Sequence, residues 1–61
     1  MANLTSKELT AIEDHLSMEQ LLVSKYHAIA GQTTDPQLKT KCEQIAAKHR
    51  EHYQRLLGRL S

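Results

Sequence analysis

The sequence predicts an all-α fold, an antiparallel hairpin of two helices that dimerises into a four-helix bundle. The first observation is composition: Phe and Trp are absent, while Leu, Ala, Gln, Glu and Lys, which are good helix formers, dominate. The second is that signals for the start of a helix occur twice. The third is that apolar residues recur in alternating steps of three and four, as in bundle cores.

The first helix is predicted to span about residues 6–30. Thr5 and Glu8 have the spacing of a capping box, in which each side chain binds the backbone N–H of the other residue. Gly31 follows the last apolar position and suits the C′ site, because glycine accepts a left-handed backbone at little cost.

The second helix is predicted to span about residues 36–57, after a connection at about residues 31–35. Asp35 is the expected N-cap and Pro36 the first helical residue. Gly58 is expected to end the helix. Since the connection is short, the two helices should be antiparallel neighbours.

The chain of 61 residues forms one predicted domain, residues 1–61. A chain of this size buries little apolar surface, and small folds usually gain stability from disulfides, a metal or a partner chain. Cys42 is the single cysteine, so a disulfide within the chain is excluded. Oligomerisation, a metal ion or both remain.

The apolar stripes are wider than one partner helix can cover. This surplus predicts a second hairpin, most simply a second copy related by a two-fold axis. The predicted dimer core consists of Ile12, Leu16, Leu22, Val23, Tyr26, Ile45, Tyr53 and Leu56.

Four polar residues interrupt the stripes at one level. Folding the chain about residue 34 places Glu19 near His49, and His15 or Leu16 near His52. The two residues on each helix are three or four positions apart, so they share a face. One interpretation is a metal site, since imidazole and carboxylate at these spacings suit zinc, iron, nickel or copper. The alternatives are a hydrogen-bonded network that sets register and partner, or a cluster open to water.

Several function classes are disfavoured. Eight basic against seven acidic residues argue against nucleic-acid binding. No apolar run approaches the roughly 20 residues of a membrane span. The first five residues lack the features of a signal peptide, so we expect synthesis for the cytoplasm and no secretion by that route. No catalytic triad or glycine-rich phosphate loop is present, and the sequence does not predict an enzyme.

Three stretches resemble small proteins of the spore coat F family. They are LSMEQLLVSKY at 16–26, DPQLK at 35–39 and CEQIAAKHREHY at 42–53. The resemblance extends over about residues 9–57, and its most specific part is the Glu-Gln and Lys-Tyr pairs of the first stretch together with the Asp-Pro turn. It implies a ferritin-like hairpin, a structural role in or near the spore coat, and other coat proteins as partners besides the chain itself.

The ferritin-like comparison also bears on the metal question. Di-iron members of that fold use one Glu on the first helix and a Glu-x-x-His pair on the second. By resemblance Glu19 matches the first Glu and His52 the His, whereas His49 stands where the second Glu would be. A dimer would then offer two carboxylates and up to six imidazoles, counting His15. No cofactor is certain from the sequence. The candidate is a divalent transition metal, zinc or iron, and the nitrogen-rich set suits zinc, nickel or copper better.

Overall fold

The computed structural model describes residues 4–60 as a hairpin of two long helices, α1 (Ser6–Gln32) and α2 (Pro36–Gly58). The helices pack along their length, and no strand occurs in this range. The Cα atoms extend over 47 × 14 × 10 Å. The predicted all-α hairpin is therefore confirmed, whereas the expectations that concern residues 1–3 and Ser61 fall outside the described residues.

The capping box at the start of α1 forms as predicted. The backbone N–H of Glu8 donates to Thr5 Oγ1 at 3.0 Å, and the backbone N–H of Thr5 donates to Glu8 Oε1 at 3.1 Å. The bond from the Thr5 backbone, helped by the bond with its side chain, lowers the pKa of Glu8 below its ordinary value of 4.5. These bonds satisfy N–H groups that have no partner inside the helix.

The end of α1 differs from the prediction. The helix continues through Gly31 to Gln32, and Gly31 does not have a positive φ. Its expected role as a left-handed C′ residue is therefore wrong. Thr33 ends the helix instead: its backbone is extended, its N–H donates to the Ile29 carbonyl at 3.0 Å, and its Oγ1 accepts from the Asp35 N–H at 3.1 Å. The connection shortens to three residues, 33–35.

The start of α2 agrees with the prediction. Asp35 Oδ1 accepts from the backbone N–H groups of Gln37 at 2.9 Å and Leu38 at 3.3 Å, and Pro36 occupies the first turn. The helix ends at Gly58, one residue beyond the predicted end, which is within the usual ambiguity of helix boundaries.

The core between the helices is thin. Among the described residues, those classed as buried are Leu16, Glu19, Ala30, Cys42 and Ala46, and no side chain of large volume is fully buried. Leu16 is the buried member of the predicted dimer core. Its other members are partly exposed in the single hairpin: Ile12, Leu22, Val23, Tyr26, Ile45, Tyr53 and Leu56. Small side chains let the helices approach, and the larger ones stay at the edges of the contact.

The two-helix layer has two broad faces. On one, Gln20 Nε2 donates to the Tyr53 hydroxyl at 3.2 Å, and we call it the tyrosine face. On the other, His15 and His52 approach Glu19, and we call it the histidine face. With 3.6 residues per turn, α1 presents a different stripe to each face. The stripe on the histidine face is apolar, with Ala11, Met18, Leu22 and Ile29; the stripe on the tyrosine face is polar, with Glu13, Ser17, Gln20 and Ser24.

Within residues 4–60, neither helix is long and apolar enough to cross a membrane.

Replacing Gly31 with alanine tests the revised end of α1. The backbone is helical, and a Cβ added at Gly31 has nothing within 4 Å. We expect Gly31→Ala to raise the free energy of unfolding by about 0.4 to 1 kcal/mol, because alanine restricts the unfolded chain and favours the helix. Urea unfolding at a fixed chain concentration measures this. Gly58→Ala, at the last helical residue, should give a smaller gain, and a loss of stability in Gly31→Ala would restore the left-handed C′ assignment.

Candidate functional site

The candidate site is built around Glu19, which lies in the middle of α1 and is only 5% exposed. Its position follows from the apolar stripe: Leu16 and Val23 lie one turn to either side, so the same face of the helix turns Glu19 toward α2. Burial of a carboxylate is unfavourable unless hydrogen-bond donors replace water. The donors here are histidines.

Three histidines surround the carboxylate. His49 Nδ1 lies 2.7 Å from Glu19 Oε1, which is a short hydrogen bond. His52 Nδ1 lies 3.3 Å from Oε2, and His15 Nε2 lies 3.5 Å from the same oxygen. His15 comes from α1 itself, one turn before Glu19, whereas His49 and His52 come from α2. The cluster therefore joins the two helices at one level.

His49 is the least exposed of the three histidines. Its side chain is 25% exposed, compared with 56% for His15. The Tyr26 ring stacks on it with centroids 6.2 Å apart and an interplanar angle of 14°, and the His52 ring meets it edge-on at 5.8 Å. These two aromatic contacts orient Nδ1 toward Glu19.

Opposing effects act on the pKa of Glu19. Burial raises it, because the charged form loses hydration, but the hydrogen bond from His49 and the charges of His49, His52 and His15 act in the other direction. The result is a pKa below the ordinary value of 4.5. Glu19 is thus ionised at neutral pH and accepts a hydrogen bond from His49.

The same atoms form a group of potential metal ligands. One ligand atom each from Glu19, His49 and His52 lies within 4.8 Å of the others. The cluster opens to solvent through a depression on the histidine face, which is lined by His15, Glu19, His52, Arg55, Leu56 and Arg59. An ion could enter by this route.

The predicted cluster forms, and its members lie where an antiparallel fold about residue 34 places them. Its role as a metal site stays a prediction. Cys42 is buried and stands two turns from His49 along α2, outside the group.

Three contacts were missed by sequence reasoning. They are the stack of Tyr26 on His49, the bond from Gln20 to Tyr53, and the pair of His27 Nε2 with an Arg50 guanidinium nitrogen at 2.8 Å. None of these contacts follows from the apolar spacing, because each depends on the rotation of its helix and on the rotamers of long side chains.

The chain was compared with protein-family models, with known proteins and with solved structures. No protein-family model and no solved structure matches this chain. The chain is similar to YuzM of Bacillus subtilis (strain 168), described as uncharacterised. The two are 32% identical over 57 residues, which cover 93% of this chain and 70% of YuzM.

A pH series on Glu19→Gln tests the electrostatics of the site. Since the folded-state pKa of Glu19 is lowered, its ionisation contributes stability that is complete above the ordinary value and is lost as pH falls through the folded-state value. We expect the stability of the native protein relative to Glu19→Gln to decline as the pH falls below the ordinary value of 4.5 and through the lower folded-state value. Thermal unfolding followed by circular dichroism, in chelator, measures it.

The matched control is Glu13→Gln, an exposed glutamate on the same helix. Its stability relative to the native protein should change little over the same range. A difference between the native protein and Glu19→Gln that is independent of pH would contradict the lowered pKa.

Proposed function

This chain belongs to the family of the Bacillus subtilis protein YuzM, and we propose that it acts as a structural, self-associating module. In this proposal two hairpins pack across a two-fold axis into a four-helix bundle of the ferritin-like kind. The function is assembly: the bundle presents a stable helical surface to other proteins, and the chain performs no catalysis.

The observation that carries the proposal is the amount of surface the hairpin leaves uncovered. Its accessible surface is 4769 Å² for a mass of 6.9 kDa. Compact monomers of that mass expose about 4,000 Å². The excess, about 800 Å², equals what each partner typically buries in a stable protein–protein interface. A second copy of the hairpin is the simplest partner of matching shape.

The apolar stripe of α1 on the histidine face is the proposed contact surface. Met18 is 57% exposed there, and Leu22 and Ile29 are only partly covered. The neighbouring part of α2 offers Ile45, flanked by the long side chains of lysines at 41 and 48. Lysine stems cover apolar surface while their charges remain in water.

Charge supports a particular order of helices in the dimer. Residues 1–35 are net acidic and residues 36–61 are net basic. A two-fold arrangement that lays α1 of one copy over α2 of the other brings opposite charges together and separates like charges. Exposed pairs contribute little stability each, but they favour this arrangement over one that pairs α1 with α1.

We further propose that the dimer is a component of the spore coat or a relative of one. The resemblance to the coat F family in the Glu19–Gln20 and Lys25–Tyr26 pairs and in the Asp35–Pro36 turn supports this step. A small, non-catalytic bundle with a surface for partner proteins suits a layered protein assembly.

Replacing Leu22 with lysine tests self-association. In the proposed arrangement, a charge at the centre of the apolar stripe of α1 would be buried against the net basic α2 of the other copy, and burying an unpaired charge is costly. We expect Leu22→Lys to shift the protein from dimer to monomer in sedimentation equilibrium at several chain concentrations. Ser24→Lys, exposed on the polar stripe of the same helix, introduces the same charge and should remain dimeric. A native protein that is monomeric throughout the concentration range would refute the dimer.

Localisation tests the coat assignment. A fluorescent fusion expressed in a sporulating Bacillus host should form a ring around the spore, and the protein should be extracted with the coat fraction of purified spores. A fusion that stays in the mother-cell cytoplasm and is absent from extracted coats would contradict the coat role while leaving the dimer unaffected. The Leu22→Lys fusion shows whether coat placement requires self-association.

A further inference from the structure

We propose that Glu19, His49 and His52 bind one zinc-class divalent ion per hairpin, with His15 as the fourth donor. All four residues come from one chain, so the site does not require the dimer. The ion would connect α1 to α2 at the middle of the hairpin, and the proposal thus adds a ligand-dependent clamp to the structural role.

The spacing of the donors suits a tetrahedral ion. With metal–ligand bonds of about 2.0 to 2.1 Å, two donors on a tetrahedron are about 3.3 Å apart. Glu19 Oε2 lies 3.3 Å from His52 Nδ1 and 3.5 Å from His15 Nε2, while Oε1 lies 2.7 Å from His49 Nδ1. The first two distances already match the edge of such a tetrahedron. The third distance involves the other carboxylate oxygen and is not an edge of this tetrahedron, but His49 has a ring nitrogen within 4.8 Å of the ligand atoms of Glu19 and His52.

The charge of the site favours a cation. Glu19 is an ionised carboxylate that is almost fully buried, and its ion-pair partners are histidines. A divalent ion supplies both charge and bonds to such a carboxylate. Arg55 and Arg59 line the same opening and oppose a cation. Arg55 is paired with Glu51, which reduces its effect.

The donor set selects the class of ion. Each hairpin places one carboxylate among the grouped donors, so a pair of hairpins offers two carboxylates for ions that together carry four positive charges. The di-iron site of ferritin-like proteins, with its four carboxylates, does not fit this set. One carboxylate with three imidazoles suits a single four-coordinate zinc ion.

The proton on His49 provides a direct readout. In the hydrogen bond to ionised Glu19, Nδ1 of His49 is the donor and Nε2 carries no proton when the ring is neutral. Coordination through Nδ1 displaces that proton, and the neutral ring then carries its proton on Nε2. The change of tautomer is visible in two-bond nitrogen–proton NMR correlations of the ring, and a role in hydrogen bonding alone would not produce it.

The experiment titrates zinc chloride into the full chain after treatment with chelator. Calorimetry and native mass spectrometry should give one zinc per chain, the thermal midpoint should rise, and the His49 tautomer should change. His49→Gln and His52→Gln should weaken binding at least as much as the tenfold to hundredfold loss typical of supporting residues around a metal. Circular dichroism in the absence of zinc establishes that each variant is folded.

His27→Gln is the matched control, because His27 is a histidine that pairs with Arg50 away from the cluster. Cys42→Ser controls for the thiol. Both should bind zinc like the native protein. The proposal is overturned if His27→Gln weakens binding as much as His49→Gln, or if zinc at equimolar concentration leaves the thermal midpoint and the tautomer unchanged. Leu22→Lys separates the two proposals, since a monomer that still binds one zinc supports this site without the bundle.

Discussion

A carboxylate buried between two helices restricts how the helices can align, because it must keep its polar partners. Two of the three histidines that contact Glu19 belong to α2. A shift of α2 by one helical turn moves His49 about 5.4 Å along the axis and leaves the carboxylate without its shortest bond. The cost of an unpaired buried charge therefore opposes such a shift. The register of the hairpin depends on this contact more than on any other polar contact between the helices.

The apolar contacts cannot set register as sharply. The buried apolar residues are mostly small, with Ala30, Cys42 and Ala46 beside Leu16. Hydrophobic burial is non-directional and roughly proportional to area, so a row of small side chains would tolerate several alignments. The thin core allows the helices to pack closely, and the polar cluster favours the one alignment that keeps Glu19 paired. The larger side chains remain partly exposed and are free to contact a second copy.

Local chemistry accounts for what the sequence predicts well. Thr5, Glu8 and Asp35 bind backbone groups within three residues of themselves, so spacing alone identifies them. The pairing of Glu19 with His49 is also predictable, because a short connection leaves little freedom in how two long helices align. The end of α1 was predicted wrongly at Gly31, because glycine permits a left-handed backbone without requiring one. The helix continues through Gly31, and Thr33 is its C-cap.

The contacts on the edges of the layer are harder to predict. The pairs formed by Gln20 with Tyr53 and by His27 with Arg50 depend on how each helix is rotated about its axis and on the rotamers of long side chains. Neither is encoded in the apolar spacing. The same limit applies to the stack of Tyr26 on His49.

Register and metal binding use the same atoms, and this determines what an ion can change. In structural zinc domains the metal supplies folding free energy that the apo chain lacks. Here Glu19 already has a hydrogen bond with His49 and close contacts with His15 and His52, and no buried side-chain nitrogen or oxygen among the described residues is without a partner. The hairpin therefore folds in the same register with or without an ion. In the proposed site zinc would replace a proton-mediated contact by a metal-mediated one, so the expected effect is added stability and a change of histidine tautomer, without a change of fold.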